Sequence, residues 1–207
     1  MNGKTYTNSF AAITRFLDRY GIGIVLLIAA VCYMLSFNPR LNGSDDATYL
    51  TLAQALVARG SYCKANLVGC PPETYYPPLF PLLLVPLVAV FPNWPANIPL
   101  LMLIPFASAM AGLWVTWELV KSLLENRYLA LGLLLALAVN YVSAWFTFIL
   151  MTETLFTLLT MGALVLLAKI KTVERPLRYC GVAALLICAA ALTRSVGIAL
   201  WGATLLY

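Results

Sequence analysis

The stretch PPLFPLLLVPLVAVF, residues 77–91, decides how this chain is folded. It is apolar almost throughout, yet it carries prolines at 77, 78, 81 and 86. Apolar runs of about 10–14 residues are more often interfacial or re-entrant than spanning. Internal prolines remove backbone donors and kink helices. Whether the run crosses a bilayer fixes the side on which every later loop lies.

Around it stand five longer apolar runs, at 21–37, about 97–119, 128–148, 154–170 and 179–193. The composition agrees with them: 62% of residues are hydrophobic, 10% are charged and the mean hydropathy is +0.89. A soluble domain carries about 25% charged residues, so the chain reads as an all-α polytopic membrane protein. The run at 21–37 follows a mixed polar segment and precedes no small-residue cleavage site, and it is expected to be an uncleaved anchor. A net charge of +5 does not signal nucleic acid here. Its distribution along the loops carries the information, because Lys and Arg favour the cytoplasmic side.

With the N-terminus inside and 77–91 not crossing, nine basic residues fall inside: Lys4, Arg15, Arg19, Lys121, Arg127, Lys169, Lys171, Arg175 and Arg178. The other four, Arg40, Arg59, Lys64 and Arg194, fall outside. Letting the run cross reverses the numbers, nine outside against four inside. The first topology obeys the positive-inside rule. It predicts a cytoplasmic segment at 1–20 and one transmembrane domain over 21–207, with five spans and a partial sixth. Residues 38–96 form a long first outer loop with amphipathic and re-entrant helices. The last run, SVGIALWGATLLY, stops without a polar flank, so the domain is expected to be truncated there.

That topology collects Asp45, Asp46, Glu73, Glu153 and Arg194 on one face. Ionisable residues at the edge of hydrocarbon are costly, and several on one face point to a site. Ser44 or Asp45 suits an N-cap, and the segment DATYLTLAQALVAR repeats its apolar positions at helical spacing up to Gly60. Capping explains one of the two acids. The other is a carboxylate held ionised beside a helix N-terminus, ready to accept a proton from a hydroxyl. Tyr75 and Tyr76 read either as interfacial aromatics or as the wall of a groove for a lipid or sugar. Glu73 reads as a solvated loop charge. Glu153 sits between two apolar runs with only Thr152 and Thr154 as polar company. It is a candidate for binding an acceptor or a sugar, or for sharing a divalent cation with Asp46 through oxygen ligands. Arg194 ends a span, where its planar fork suits a lipid phosphate; Ser195 and Gly197 beside it leave room for close approach.

Cys63 and Cys70 flank a short loop segment and are expected to form a disulfide in an exported compartment. Cys32, Cys180 and Cys188 lie in apolar runs as packing residues. The chain has no His and no CxxC, which argues against a zinc site.

In order along the chain stand an acid pair opening a helix, the return YYPPLFPLLL, the span start TETLF and the span end LTRSVG. In this the sequence resembles the polytopic GT-C glycosyltransferases, particularly those like protein O-mannosyltransferases and the aminoarabinose transferase of lipid A. The resemblance covers about residues 21–205, the N-terminal part of a usual member. It implies transfer of a sugar from a polyprenyl-phosphate carrier to a hydroxyl acceptor outside the cytoplasm, with inversion. Asp45, with Asp46, falls at the acid pair proposed as catalytic; Glu153 falls at the second-loop acid; Arg194 falls at the basic residue thought to meet the donor phosphate. It also implies a multi-pass protein of a bacterial cytoplasmic membrane, working on the outer face with a lipid-linked donor and no nucleic acid. The family's later spans and C-terminal region are missing here, which leaves a role for a partner chain supplying spans. Two other classes fit part of the pattern. A secondary transporter would place charges in broken helices near the midplane, and an inactive assembly subunit would need none of the acids.

Overall fold

The computed structural model describes residues 3–170 and 176–205, with side chains described from residue 14. Lys171 and Arg175, and the side chain of Lys4, lie outside the described residues. Ten α-helices follow one another: α1 Gly3–Leu35, α2 Asp45–Arg59, α3 Leu79–Val90, α4 Ile98–Leu101, α5 Leu103–Leu123, α6 Arg127–Ala138, α7 Tyr141–Thr147, α8 Glu153–Lys169, α9 Pro176–Thr193 and α10 Ile198–Leu205. A 3-10 turn over Ser195–Gly197 joins the last two. Among the described residues there are no strands, only one antiparallel bridge between Cys63 and Pro72.

Three helical stretches are long and apolar enough to cross a membrane: Thr14–Leu35, Ile98–Leu123 and Pro176–Thr193. Their flanks remain open, with Leu27, Trp114, Leu185 and Leu177 all more than half exposed. Apolar surface on this scale calls for a partner phase, so the chain is compatible with a membrane protein. The run at 128–148 is not one straight helix. It is broken into α6 and α7, bent by 57°. Asn140 makes the break, because its side-chain oxygen accepts the Val142 N–H at 2.8 Å and starts a new helix there. The run at 154–170 forms α8, whose 17 residues extend about 25 Å at 1.5 Å per residue, short of a bilayer core of about 30 Å.

Helix α8 is packed between α5 and α9, while α1 lies against α5 and α6, and α2 lies on α3. The α5–α8 approach passes over Gly112, where a Cβ would sit 3.8 Å from the Leu158 backbone, in ordinary contact. The two helices run parallel, because Glu118 and Lys121 near the end of α5 share a cleft with Lys169 at the end of α8. At this basic end Arg127 ties α6 to α1, donating from Nη2 to the Asp18 carbonyl at 2.6 Å. Its guanidinium also covers the Trp117 ring at 5.6 Å. The core between the helices is built from Val25, Ala29, Leu50, Ala53, Phe80 and Leu84, with Leu134 and Leu150.

The apolar segment 77–91 becomes α3 from Leu79, with Pro86 inside it. Twelve residues give about 18 Å of helix. It buries Phe80, Pro81, Leu84 and Val88, chiefly against α2. Helix α2 ends at Gly60, whose φ of +63° lies in the left-handed region that favours glycine.

Cys63 and Cys70 are joined as a disulfide, with Cα atoms 5.3 Å apart. Replacing both by Ser is expected to cost about 2–3 kcal/mol in the chain-entropy treatment of an eight-residue loop. A thermal melt of the oxidised protein against the double variant checks this. An unchanged melting temperature would mean the loop is held by its polar bonds alone.

Candidate functional site

The end of the bundle opposite the basic cleft gathers the N-termini of α2 and α8, the C-terminus of α9 and the loop returning into α3. Two adjacent acids open α2, and the fold gives them different work. Asp46 is fully buried. Its Oδ1 accepts the N–H groups of Ser44 at 3.0 Å and Ala47 at 2.8 Å, and its Oδ2 accepts that of Asn42. Ser44 occupies the N-cap position without a side-chain cap bond. Asp46 therefore does the capping, by reaching back around the turn, and fixes the path from α1 into α2.

One residue earlier and about 100° around the helix, Asp45 faces the return loop. The Tyr76 hydroxyl donates to Asp45 Oδ1 at 2.7 Å. That hydrogen bond, with burial second and the carboxylate charge third, pushes the Tyr76 phenol up to about 12. Tyr76 is held from behind: the Tyr62 hydroxyl donates to its carbonyl at 2.9 Å, and its N–H reaches Glu73 Oε1 at 3.3 Å. Tyr75 stacks edge-on against it at 5.1 Å and is 79% exposed.

Glu73 is not the solvated charge that its loop position suggests. It is buried, accepts the Tyr75 N–H at 2.6 Å and faces Lys64 Nζ at 3.4 Å. Burial works against its charge, but the N–H groups of Tyr75 and Tyr76 and the Lys64 ammonium outweigh it and hold the carboxyl below its ordinary value.

Across the site, Glu153 opens α8 and Arg194 leaves α9. Arg194 Nη1 pairs with Glu153 Oε1 and also reaches the Thr152 hydroxyl at 3.5 Å. Both side chains are partly exposed, 38% for Arg194 and 23% for Glu153, so the pair sits at the rim of the bundle. Arg194 Nε and Nη2 have no protein partner among the described residues.

Tyr49 joins the two halves. It lies one turn beyond Asp45 on α2, nearly buried, edge-on to Tyr76 at 5.3 Å and to Phe80 at 5.2 Å. Burial raises its phenol above the ordinary value against a hydrogen bond with Thr152. The charges of Asp45 and Glu153 add to the rise, and that of Arg194 opposes it. Thus Asp45, Glu153 and Arg194 all lie close enough for their charges to act on one phenol. Sequence reasoning missed Tyr49 because it looks like any aromatic on the apolar stripe of α2. Its position at i+4 from Asp45 and the hydroxyl of a buried tyrosine, which seeks a partner, were the available signals.

A divalent cation shared by Asp46 and Glu153 does not fit these residues. Both oxygens of Asp46 already accept backbone N–H groups, and one oxygen of Glu153 is matched to a guanidinium. Among the described residues no three His, Cys, Asp or Glu side chains group as ligands.

Gly197 supports Arg194 in an unexpected way. A Cβ there would lie 2.6 Å from the Ala191 nitrogen and 2.7 Å from the Ala190 carbonyl carbon. The turn after α9 folds tightly onto the helix end, so the small residue serves the chain itself instead of leaving space for a ligand. Gly197→Ala is expected to destabilise the protein by about 1–3 kcal/mol through backbone overpacking and to shift Arg194. Melting of the variant beside wild type checks it, and an unchanged melt would show that the turn can relax.

Comparison with protein-family models, with curated proteins and with solved structures found no match. What stands is an all-helical chain with three candidate membrane-spanning helices and a polar cluster at one end of the bundle.

Proposed function

We propose that this chain is a GT-C-like membrane glycosyltransferase. It moves a sugar from a polyprenyl-phosphate carrier to a hydroxyl acceptor on the outer face of a bacterial cytoplasmic membrane. The observation that carries this reading is the Glu153–Arg194 pair at the rim, with the charges of Asp45, Glu153 and Arg194 all reaching the Tyr49 phenol. Three elements distant in sequence bring a carboxylate and a guanidinium to one rim, as phosphate departure and hydroxyl attack both require.

In the proposed topology α1, α4–α5, the bent pair α6–α7, α8 and α9 make the five crossings. α2 and α3 stay in the outer loop, and α10 begins a sixth crossing. The short α8 is accommodated by local thinning of the bilayer, and the Asn140 break by burial in the protein interior.

The chemistry follows from the geometry. Asp45 keeps one oxygen bonded to Tyr76, which orients the carboxylate, and offers the other to the acceptor hydroxyl. As the acceptor oxygen bonds to the anomeric carbon, its proton passes to Asp45 and the bond to the phosphate oxygen breaks. The electron pair leaves with the phosphate, whose growing charge meets Arg194. Attack opposite the leaving group inverts the anomeric carbon. Glu153 holds Arg194 in place and shares its charge, so phosphate engages the Nε and Nη2 side of the fork. A cleft of about 430 Å³ beside the α1–α2 junction is lined by Asn38, Arg40, Asn42, Tyr141 and Trp145. Such amides and ring faces suit a sugar.

The test is a titration of the purified chain in lipid nanodiscs with a polyprenyl phosphate, followed by a panel of lipid-linked sugars. Saturable binding supports the reading. A folded chain that binds none of them overturns it.

A further inference from the structure

A second cavity, of about 390 Å³ and partly open to the bundle surface, lies among α1, α5, α6, α7 and α8. Glu153 forms part of its wall. One oxygen of that carboxylate faces Arg194, whereas Oε2 is buried with no hydrogen-bond partner. Thr154, next in the chain, is 9% exposed, lines the same cavity and leaves its Oγ1 buried and unpartnered. Buried polar atoms in native proteins are nearly always satisfied. Two adjacent exceptions in the wall of one cavity mark a place built for a ligand.

The remaining wall says what kind. Ser108, Thr116 and Ser143 add hydroxyls, and Leu113, Phe146 and Met161 make much of the rest apolar. The volume lies in the range of small-molecule sites, about 300–1,000 Å³, and exceeds what one ion fills. Arg194 already balances the charge of Glu153, so a second cation there would be repelled. The waiting oxygen calls for a neutral hydrogen-bond donor, and the apolar wall calls for a carbon skeleton.

We infer that this cavity binds a neutral amphiphilic alcohol, with its hydroxyl donating to Glu153 Oε2 and hydrogen-bonded to Thr154 Oγ1, and its apolar body lying against α5 and α8. Binding stands on the cavity alone and does not rest on the glycosyltransferase reading.

The experiment uses the full chain in lipid nanodiscs and a decanol bearing an aliphatic diazirine. Crosslinked peptides are mapped by mass spectrometry. Adducts are expected on α5 and α8 near Leu113 and Met161. Unlabelled 1-decanol should suppress them about tenfold better than decyl methyl ether, the effect of one buried hydrogen bond. Thr154→Val keeps the volume and should erase part of that preference. Equal competition by the ether would mean an apolar void without hydroxyl recognition. Adducts spread over lipid-facing positions such as Leu129 and Leu185, or none on α5 and α8, would also overturn the inference. The probe reports binding without any transfer. Alcohol binding in a chain that transfers no sugar therefore counts against the transferase reading alone, and transfer without these adducts counts against the inference alone.

Discussion

Asp45→Asn should abolish sugar transfer while leaving the protein folded and able to bind polyprenyl phosphate. The loss expected for removing a positioned general base is about 10²–10⁴-fold. The substitution is nearly isosteric, keeps an oxygen for the Tyr76 hydroxyl and leaves the capping bonds of Asp46 untouched. It also has an optical signature that needs no substrate. The Tyr76 phenol stands at about 12 chiefly because it donates to Asp45. In the Asn variant the carboxylate charge is lost while the hydrogen bond and the burial remain, so that phenol should fall only part of the way toward its ordinary value of 10.0. A spectrophotometric titration of the tyrosines reads this shift directly. A raised folded value adds stability below the unfolded value and loses it as pH rises through the folded one. Wild type should therefore shed this contribution between about pH 10 and 12, and the variant should shed less. Full transfer activity in Asp45→Asn would remove Asp45 from the chemistry, whatever the titration shows.

The second large effect concerns Arg194. Arg194→Ala removes the proposed phosphate partner and leaves the Glu153 carboxylate unpaired at the rim. Breaking a buried ion pair costs about 3–5 kcal/mol, but Arg194 is 38% exposed. Solvent screening brings the expected stability loss toward the roughly 0–1 kcal/mol range of exposed pairs. The loss of polyprenyl-phosphate binding should be larger, about tenfold or more, as expected for a lost charge-assisted contact. Glu153→Gln separates the two roles. It weakens the ion pair but keeps the guanidinium, so phosphate binding should survive or improve. If both variants lose binding equally, the pair acts as a structural clamp and the donor phosphate lies elsewhere.

The acids and bases were legible in the sequence because charge is rare in this chain, so each charged position stands out. Asp45, Glu153 and Arg194 could be placed on one face from loop parity alone. Their division of labour could not. Asp45 and Asp46 are the same side chain at adjacent positions, and only the turn at Asn42–Ser44 makes one a cap and leaves the other facing Tyr76. The burial of Glu73 was hidden for a similar reason, since it depends on Lys64 and on backbone N–H groups that a sequence does not bring together. The bend at Asn140 was more accessible. A polar residue with strong capping preference inside an apolar run is itself a helix-start signal, overlooked because hydropathy averages across it. Tyr49 carries no charge, and beyond its i+4 spacing from Asp45 it is tertiary contact that gives it meaning, as it does for Gly197.

The two oxygens of Glu153 are held differently: Oε1 is paired with Arg194, while Oε2 is buried without a hydrogen-bond partner in a side chain that lines the bundle cavity. Whatever donates a hydrogen bond to the second oxygen draws negative charge away from the first and loosens its hold on the guanidinium. An anion that engages Arg194 does the converse and frees Glu153 for the interior. Reciprocity is then required by thermodynamics: the factor by which an interior ligand changes anion affinity equals the factor by which the anion changes the interior ligand's affinity. Were both proposed sites filled, a single side chain would make their occupancies one cooperative equilibrium, with no helix having to move.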